Sequence, residues 1–285
     1  MPKTDHRPWH DPFTAHGLRP PAGAGGDRFQ LHECGALPIG PEWNFRDVRS
    51  PFWRLYHGLK PGAWIESGGR RYPLAPDRVL LVPDGVTFHC GSRAGALHLW
   101  LHFSLYLSLT NAGAGILTVP AGRTVRAVAQ ELHRAIQRRD PHPAAHLGAA
   151  LLHGVFAAVG PEAFETASGR MRTLLEWVQH RLGGEITNAA MAAQVGLSPE
   201  AFIRWFKSRT GQTPAAFVAE RRIREACRRL TFSADSIEQV AEAVGFANRH
   251  HFSRVFKRHA GCGPAGFRRD RGRAGDGAAE VRAGE

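Results

Sequence analysis

The chain has 285 residues, a formal charge of +12 and 43% hydrophobic residues, which is enough for two ordinary domains with their own cores. Its four cysteines, Cys34, Cys90, Cys227 and Cys262, contain no CxxC pair, so a zinc site and a disulfide framework are both disfavoured. No apolar run approaches the ~18 residues of a membrane span, and the N-terminal MPKTDHRPWHDPF lacks the apolar core of a signal peptide. A reduced, cytoplasmic protein with no membrane partner is the simplest expectation.

Residues 1–28 are rich in Pro, Gly and His and read as a disordered arm. From 29 to 120 the chain offers short apolar runs (FWRLYHGL, AWIES, RYPL, RVLLVP, VTFHC and ALHLWLHFSLYL) broken by Gly, Pro and Asp. That spacing predicts a small β-barrel or sandwich. In ALHLWLHFS, strand alternation sends Leu97, Leu99, Leu101 and Phe103 to one face and His98, Trp100, His102 and Ser104 to the other. The second face has two readings. It either lines a pocket, where a Trp flanked by hydrogen-bonding groups suits a polar ring such as a sugar, or it is the solvent face of a two-sided sheet. Twelve of the 16 histidines precede residue 170, but they share no spacing and form no metal motif.

Residues 121–160 predict two helices separated by the break at Asp140, Pro141, His142 and Pro143. The first, TVRAVAQELHRAIQRR, sets Val125, Val128, Leu132 and Ile136 on one face. The second, AAHLGAALLHGVFAAV, is apolar enough that Leu147, Leu151, Leu152, Val155 and Phe156 need a partner surface. Either the barrel of the same subunit or a second subunit would serve.

The segment from 169 to 270 carries most of the charge. Residues 170–273 hold 19 Lys and Arg against 9 Asp and Glu, whereas residues 1–169 hold 17 against 13. It also contains one device twice: AAQVGLSPEAFIRWFKSRTGQTPAAF, then AEAVGFANRHHFSRVFKRHAGCGPAGF. Shifted by 50 residues, Phe202, Arg204, Phe206, Lys207, Gly211, Pro214 and Phe217 meet Phe252, Arg254, Phe256, Lys257, Gly261, Pro264 and Phe267. Each copy is a short apolar helix, a glycine turn (Gly196, Gly245) and a basic amphipathic helix. This is the pattern of a helix-turn-helix, whose second helix enters the DNA major groove. Asn188, Ser198 (with Pro199 following), Ser236 and Asn248 are the expected N-caps, and Pro214 opens a long bridging helix. The stripe Phe202, Phe206, Phe252 and Phe256 reads as core rather than as a base-stacking platform. The tail 271–285 has no apolar periodicity and reads as disordered.

On the strength of RRIREACRRL and SIEQVAEAVGFANRHHFSRVFKRHAGCGPAGFR, residues from about 170 to 270 resemble the DNA-binding domain of the AraC/XylS family of bacterial transcription regulators. The resemblance implies two helix-turn-helix units, held apart by one helix, that read neighbouring faces of double-stranded promoter DNA. It places Glu200, Ala201, Ile203 and Arg204 on the groove-facing side of the first recognition helix, and Arg249, His250, Ser253 and Arg254 on that of the second. Arg204 and Arg254 are the strongest candidates, because arginine bonds bidentately to guanine. Lys207, Arg209, Lys257 and Arg258 suit phosphate. The bland alternative is a solvated basic face. Glu200, Ala201 and Ile203 are poor readers of purines, so the first unit is expected to rely on Arg204 and on apolar contacts to thymine methyls.

The stretch LKPGAWIESGGRRYPLAPDRVLLVPDGVTFHC with LHLWLHF resembles the cupin-like effector domain of the arabinose-regulator subgroup. Enzymatic cupins hold a metal with an HxH pair; here Ala63, Trp64, Ile65 and Glu66 stand in that place and only the later His89 remains. One histidine cannot build a metal site, so no metal and no cofactor are expected. By the same resemblance Lys60 and Trp100 would lie near an effector, with His98 and His102 beside them, and the helices 123–159 would dimerise. The expected architecture is α+β: a cupin-like β-barrel, a helical linker or dimerisation segment, and an all-α domain with two helix-turn-helix units. The expected function is a non-enzymatic regulator, more often an activator working with RNA polymerase, that answers a sugar or related polar metabolite. An architectural DNA-binding protein with a ligand-free barrel and a metal-dependent cupin enzyme fused to a DNA-binding module are the alternatives.

Overall fold

The computed structural model describes Leu18 and residues 29–93, 95–105, 115–159 and 169–269. Leu18 apart, the arm 1–28 and the tail 271–285 expected to be disordered lie outside the described residues. The chain divides into two compact units, one within His10–Thr166 and one within Ala167–Glu285.

The first unit is a two-layered antiparallel β structure. Its strands are β1 (Phe29–Ile39), β2 (Phe45–Val48), β3 (Trp53–Lys60), β4 (Ala63–Ser67), β5 (Arg70–Leu74), β6 (Arg78–Val82), β7 (Phe88–Ser92), β8 (Ala96–Leu105) and β9 (Leu117–Pro120). They form a five-stranded sheet in the order β1-β8-β3-β6-β9 and a four-stranded sheet in the order β2-β7-β4-β5. The β4–β5 hairpin closes through Gly68 and Gly69, whose φ values of 57° and 75° are the positive angles a two-residue hairpin turn demands. Two helices complete the unit, α1 (Arg123–Gln137) and α2 (Pro141–Val159).

The five-stranded sheet is covered on both faces, which explains why its sequence reads as apolar runs. On one side Leu55, Leu99, Leu101 and Phe103 form a core with Val125, Ala129 and Leu132 of α1 and Leu151, Leu152 and Val155 of α2. On the other side Tyr56, Leu80, Ala96 and Trp100 pack against Ile65, Phe88 and Cys90 of the second sheet. Helix and sheet approach closely at Gly148, where an added Cβ would stand 2.7 Å from Leu31 Cδ2. The partner surface that the apolar side chains of 123–159 require is therefore the sheet of their own unit. Leu147 and Phe156 pack against the same cluster. The stripe that the resemblance assigned to a second subunit is spent within the subunit, because the sheet's outer face is just as apolar.

The helices of the second unit include α3 (Gly169–His180), α4 (Asn188–Gln194), α5 (Pro199–Thr210), α6 (Pro214–Phe232), α7 (Ile237–Ala243) and α8 (Arg249–Ala260). Side chains cap most of their starts. Ser198 accepts from Ala201 N, Thr213 from Ala216 N, and Asn248 from both His250 N and His251 N. Ser236 and Gln239 close a full capping box. One cap differs from expectation: Thr187, not Asn188, caps α4, with Thr187 Oγ1 accepting from Ala190 N at 3.1 Å. Asn188 is already the first helical residue. Gly211 and Gly261 end α5 and α8 in the left-handed region, at φ 75° and 79°, as the common glycine C-cap does.

The two repeats build the same aromatic core. Phe206 lies 5.6 Å from Phe202 and 5.3 Å from Phe217, ring centre to ring centre. Phe256 lies 5.5 Å from both Phe252 and Phe267. Phe202, Phe206, Phe252 and Phe256 are fully buried, so the stripe is core. Edge-to-face contacts at these separations add to the burial of large rings, which is how short helices gather enough apolar surface to fold.

Candidate nucleic-acid interface

Helices α5 and α8 each turn one face inward and leave a basic face outside. On α5, Glu200, Arg204, Lys207, Ser208 and Arg209 are exposed, and Ala201 and Ile203 are half-buried. On α8, Arg249, His250, Arg254, Lys257 and Arg258 are exposed, and Ser253 is half-buried. The structure thus gathers each sequence-predicted set onto one helix surface, with Arg204 and Arg254 at matching positions. Neither arginine forms a hydrogen bond or ion pair among the described residues.

The bridging helix α6 treats its charge differently. Arg224 Nε donates to Glu220 at 3.1 Å, and Arg229 Nε donates to Glu225 at 3.0 Å. Arg228 also pairs with Glu225. Helical neighbours three and four residues apart meet this way readily, so much of the positive charge of α6 is answered locally. The exposed basic side chains of α5 and α8 form no such carboxylate pairs among the described residues, and a count of charges along the chain cannot make that distinction. Free guanidinium and ammonium groups aligned along a helix are what groove edges and phosphates engage.

The space between the sheets of the first unit has a different character. His98, Trp100 and His102 are all buried there, not on a solvent face. Trp100 lies flat across β1 at Gly35, where an added Cβ would stand 2.1 Å from the indole. Around these side chains are polar groups that sequence reading passed over: Glu33, Ser50, Arg54 and Tyr56. Arg54 is 1% exposed. Its Nε donates to Ser50 Oγ at 3.1 Å, and its Nη1 reaches Tyr56 Oη at 3.1 Å and His102 Nε2 at 2.8 Å. A guanidinium only donates, so His102 Nε2 accepts and Nδ1 carries the hydrogen towards Glu33 Oε2, 3.1 Å away. A neutral imidazole therefore links a buried carboxylate to a buried guanidinium, an arrangement that offsets part of the cost of desolvating both charges.

Beside this chain stands His98, enclosed by aromatic rings: Tyr56 at 4.6 Å, Trp43 at 5.1 Å and Trp100 at 5.5 Å between centres. Its Nδ1 is buried without a hydrogen-bond partner among the described residues. Burial first, then the nearby His102 and Arg54, push its pKa down to about 3, so the ring is neutral. Lys60 does not join this group. It is exposed at the end of β3, after an irregularity between Gly58 and Lys60, and pairs in register with Leu97. His89 turns away as well; its strand neighbours Phe88 and Cys90 belong to the core between the sheets, while His89 Nδ1 accepts from Asp47 N at 3.1 Å. Among the described residues no three His, Cys, Asp or Glu side chains are grouped to hold a metal ion.

A family model described as a helix-turn-helix domain matches residues 191–270, the stretch that contains α5, α6, α7 and α8. This domain is of the AraC type. The HTH-type transcriptional activator RhaS from Escherichia coli strain SE11 is 31% identical over 110 residues. That match covers 39% of this chain and 40% of the relative. A structure of ToxT from Vibrio cholerae superposes with a TM-score of 0.52 at 14% identity, covering 85% of this chain and 98% of ToxT. ToxT from Vibrio cholerae O395, bound to (E)-4-(8-methylnaphthalen-1-yl)but-3-enoic acid, gives a TM-score of 0.52 at 13% identity, over 85% of this chain and 99% of that one. At such identities the likeness is one of fold: a β unit followed by an α-helical unit that carries the AraC-type domain.

Proposed function

We propose that the protein is a sequence-specific transcription regulator whose AraC-type domain binds double-stranded promoter DNA and whose β unit binds a small-molecule effector. The observation that carries the reading is the pair of matching arginines, Arg204 and Arg254, exposed and unengaged on two recognition helices while Arg224, Arg228 and Arg229 of α6 are held by carboxylates. In this reading Arg204 and Arg254 bond to guanine edges. Glu200, Ala201 and Ile203 of α5 and Arg249, His250 and Ser253 of α8 face the same groove, and Lys207 and Lys257 hold phosphate.

The effector is a polar metabolite such as a sugar. The unpartnered His98 Nδ1 among Trp43, Tyr56 and Trp100 supports this, since an apolar platform with a few directed polar groups is how ring-shaped polar ligands are held. That ToxT has been solved with a small organic acid bound is in keeping with a fold of this kind taking a ligand. An effector acts by binding one state of the protein better than another, since equal affinity shifts nothing. Activation with RNA polymerase is favoured over repression by the likeness to RhaS. The protein works in the cytoplasm as a homodimer, assembled through surfaces other than the apolar stripe of α1 and α2.

The test is binding to DNA flanking the protein's own gene, against scrambled competitor, across a salt series. Tight binding that resists competitor and is lost in Arg254→Ala is expected. Equal binding to both DNAs that collapses with salt would mean backbone attraction alone and would favour the architectural reading. Titration of the full chain with a panel of sugars, followed by thermal shift, tests the effector. His98→Phe should abolish any shift found.

A further inference from the structure

One side chain ties the two helix-turn-helix units together. Arg222 projects from α6, with Nη1 donating to the carbonyl of Gly245 at 2.9 Å and Nη2 donating to the carbonyl of Gly184 at 2.6 Å. Gly245 lies in the turn of the second unit, between α7 and α8, and Gly184 lies in the loop that leads into α4 of the first. The planar fork of a guanidinium can hold two acceptors at a fixed mutual angle, which an ammonium cannot. Around this fork the two backbones meet without side chains between them. A Cβ on Gly183 would stand 2.7 Å from the Ala243 carbonyl oxygen. One on Gly245 would stand 2.7 Å from the Leu182 carbonyl oxygen and 2.8 Å from the Arg222 guanidinium carbon. The matching turn of the first unit is different, because a Cβ on Gly196 would meet nothing within 4 Å.

A bridging helix by itself fixes a distance, but it leaves each unit free to pivot at the short segments where the helix begins and ends. A contact from the α3–α4 loop to the α7–α8 turn removes that freedom. We propose that Arg222, with the close glycine contacts at Gly183 and Gly245, is a positioning lock that sets the spacing and rotational phase of α5 and α8. It thereby fixes how far apart the two DNA elements read by one chain must lie. The proposal rests on the DNA-binding reading above, and adds that specificity resides in the junction as well as in the side chains that touch bases.

The test has one arm with DNA and one without. DNA selected by the full wild-type chain from a random library is bound again after one base pair is inserted between the two protected elements. The wild type should lose at least tenfold in affinity. Arg222→Met and Gly183→Ala should each lose less than threefold relative to their own uninserted site, and Arg222→Lys, which keeps the charge but not the fork, should behave like Arg222→Met. Gly196→Ala should keep the full penalty. A tenfold penalty retained in Arg222→Met would overturn the lock.

The second arm places spin labels at Ser208→Cys and Arg258→Cys in a Cys262→Ser background, since Cys34, Cys90 and Cys227 are buried. The distance distribution should at least double in width in Arg222→Met; an unchanged width would overturn the lock whatever the DNA result. A widened distribution in a protein that selects no sequence would leave the lock standing and sink the regulator reading instead.

Discussion

The two helix-turn-helix units share one residue pattern, yet they are held in different ways. Both recognition helices start on a side-chain cap, end on a left-handed glycine and bury two phenylalanines on the inner face. Their turns diverge. Gly196 is at φ 66° and an added Cβ there would meet nothing within 4 Å, while Gly245 is at φ 81° and an added Cβ would stand 2.7 Å from the Leu182 carbonyl oxygen and 2.8 Å from the Arg222 guanidinium carbon. Duplication has therefore preserved the reading device and changed its attachment. In the first unit the turn only has to reverse the chain; in the second it is also a joint between units.

The sharpest way to separate those roles is to add the same methyl group to both turns. Gly196→Ala should cost only the left-handed conformation, about 1–2 kcal/mol. Gly245→Ala adds a collision with a backbone carbonyl and a tethered guanidinium to that strain, so a loss of roughly 3–5 kcal/mol is expected. Urea unfolding followed by helical circular dichroism would measure both. Equal losses would mean that the packed turn relaxes freely, and the contrast between the units would be gone.

A second contrast lies between the exposed faces of α5 and α8, which the proposed reading sets against DNA. Arg204→Ala and Arg254→Ala should each lower discrimination between the selected site and a single-base variant by about 1–3 kcal/mol. The two units then differ in what remains. The first keeps Glu200, Ala201 and Ile203, and the second keeps Arg249, His250 and Ser253, so the loss of Arg204 should erase more of its unit's sequence preference. Competition binding with base-substituted duplexes reads this directly. If Arg254→Ala erases more than Arg204→Ala, the polar surface of α8 is not reading bases.

What the sequence disclosed, and what it hid, follows the range of the interactions. The repeats were legible because a glycine turn, a cap and a helical apolar stripe are written within a dozen residues. The helical pair α1 and α2 was legible as apolar helices, but their partner was not. Only the three-dimensional sheet presents Leu99, Leu101 and Phe103 together on the side they cover. Alternation correctly put His98, Trp100 and His102 on one face; it could not say that the four-stranded sheet closes over that face. Arg54 escaped because its partner His102 lies 48 residues away and the next link, from His102 to Glu33, spans 69. An arginine two positions before Tyr56 in a run of strand-forming residues was the available signal. Lys60 was drawn towards the interior group by pattern position, and the irregularity between Gly58 and Lys60 separates it from that group. Arg222 looked like one basic residue among several in RRIREACRRL, since Gly184 and Gly245 are 38 and 23 residues from it.

The smallest contrast is at the starts of α4 and α7, the first helices of the two units. Ser236 and Gln239 satisfy two backbone donors reciprocally, whereas Thr187 satisfies one. Removing a cap costs about 1 kcal/mol, so Thr187→Ala and Ser236→Ala should each fall near that figure, with Ser236→Ala the larger because Gln239 also loses its reciprocal partner geometry. Asn188 competes for the same role in sequence, but it stands at the first helical position, and its side chain makes no hydrogen bond among the described residues. Asn188→Ala should therefore leave stability unchanged or raise it by a few tenths of a kcal/mol, because alanine is the better helix former. Urea midpoints of the three variants decide the matter. A loss in Asn188→Ala as large as that in Thr187→Ala would mean that the helix starts one residue later in solution, and that the two units enter their first helices by the same kind of residue after all.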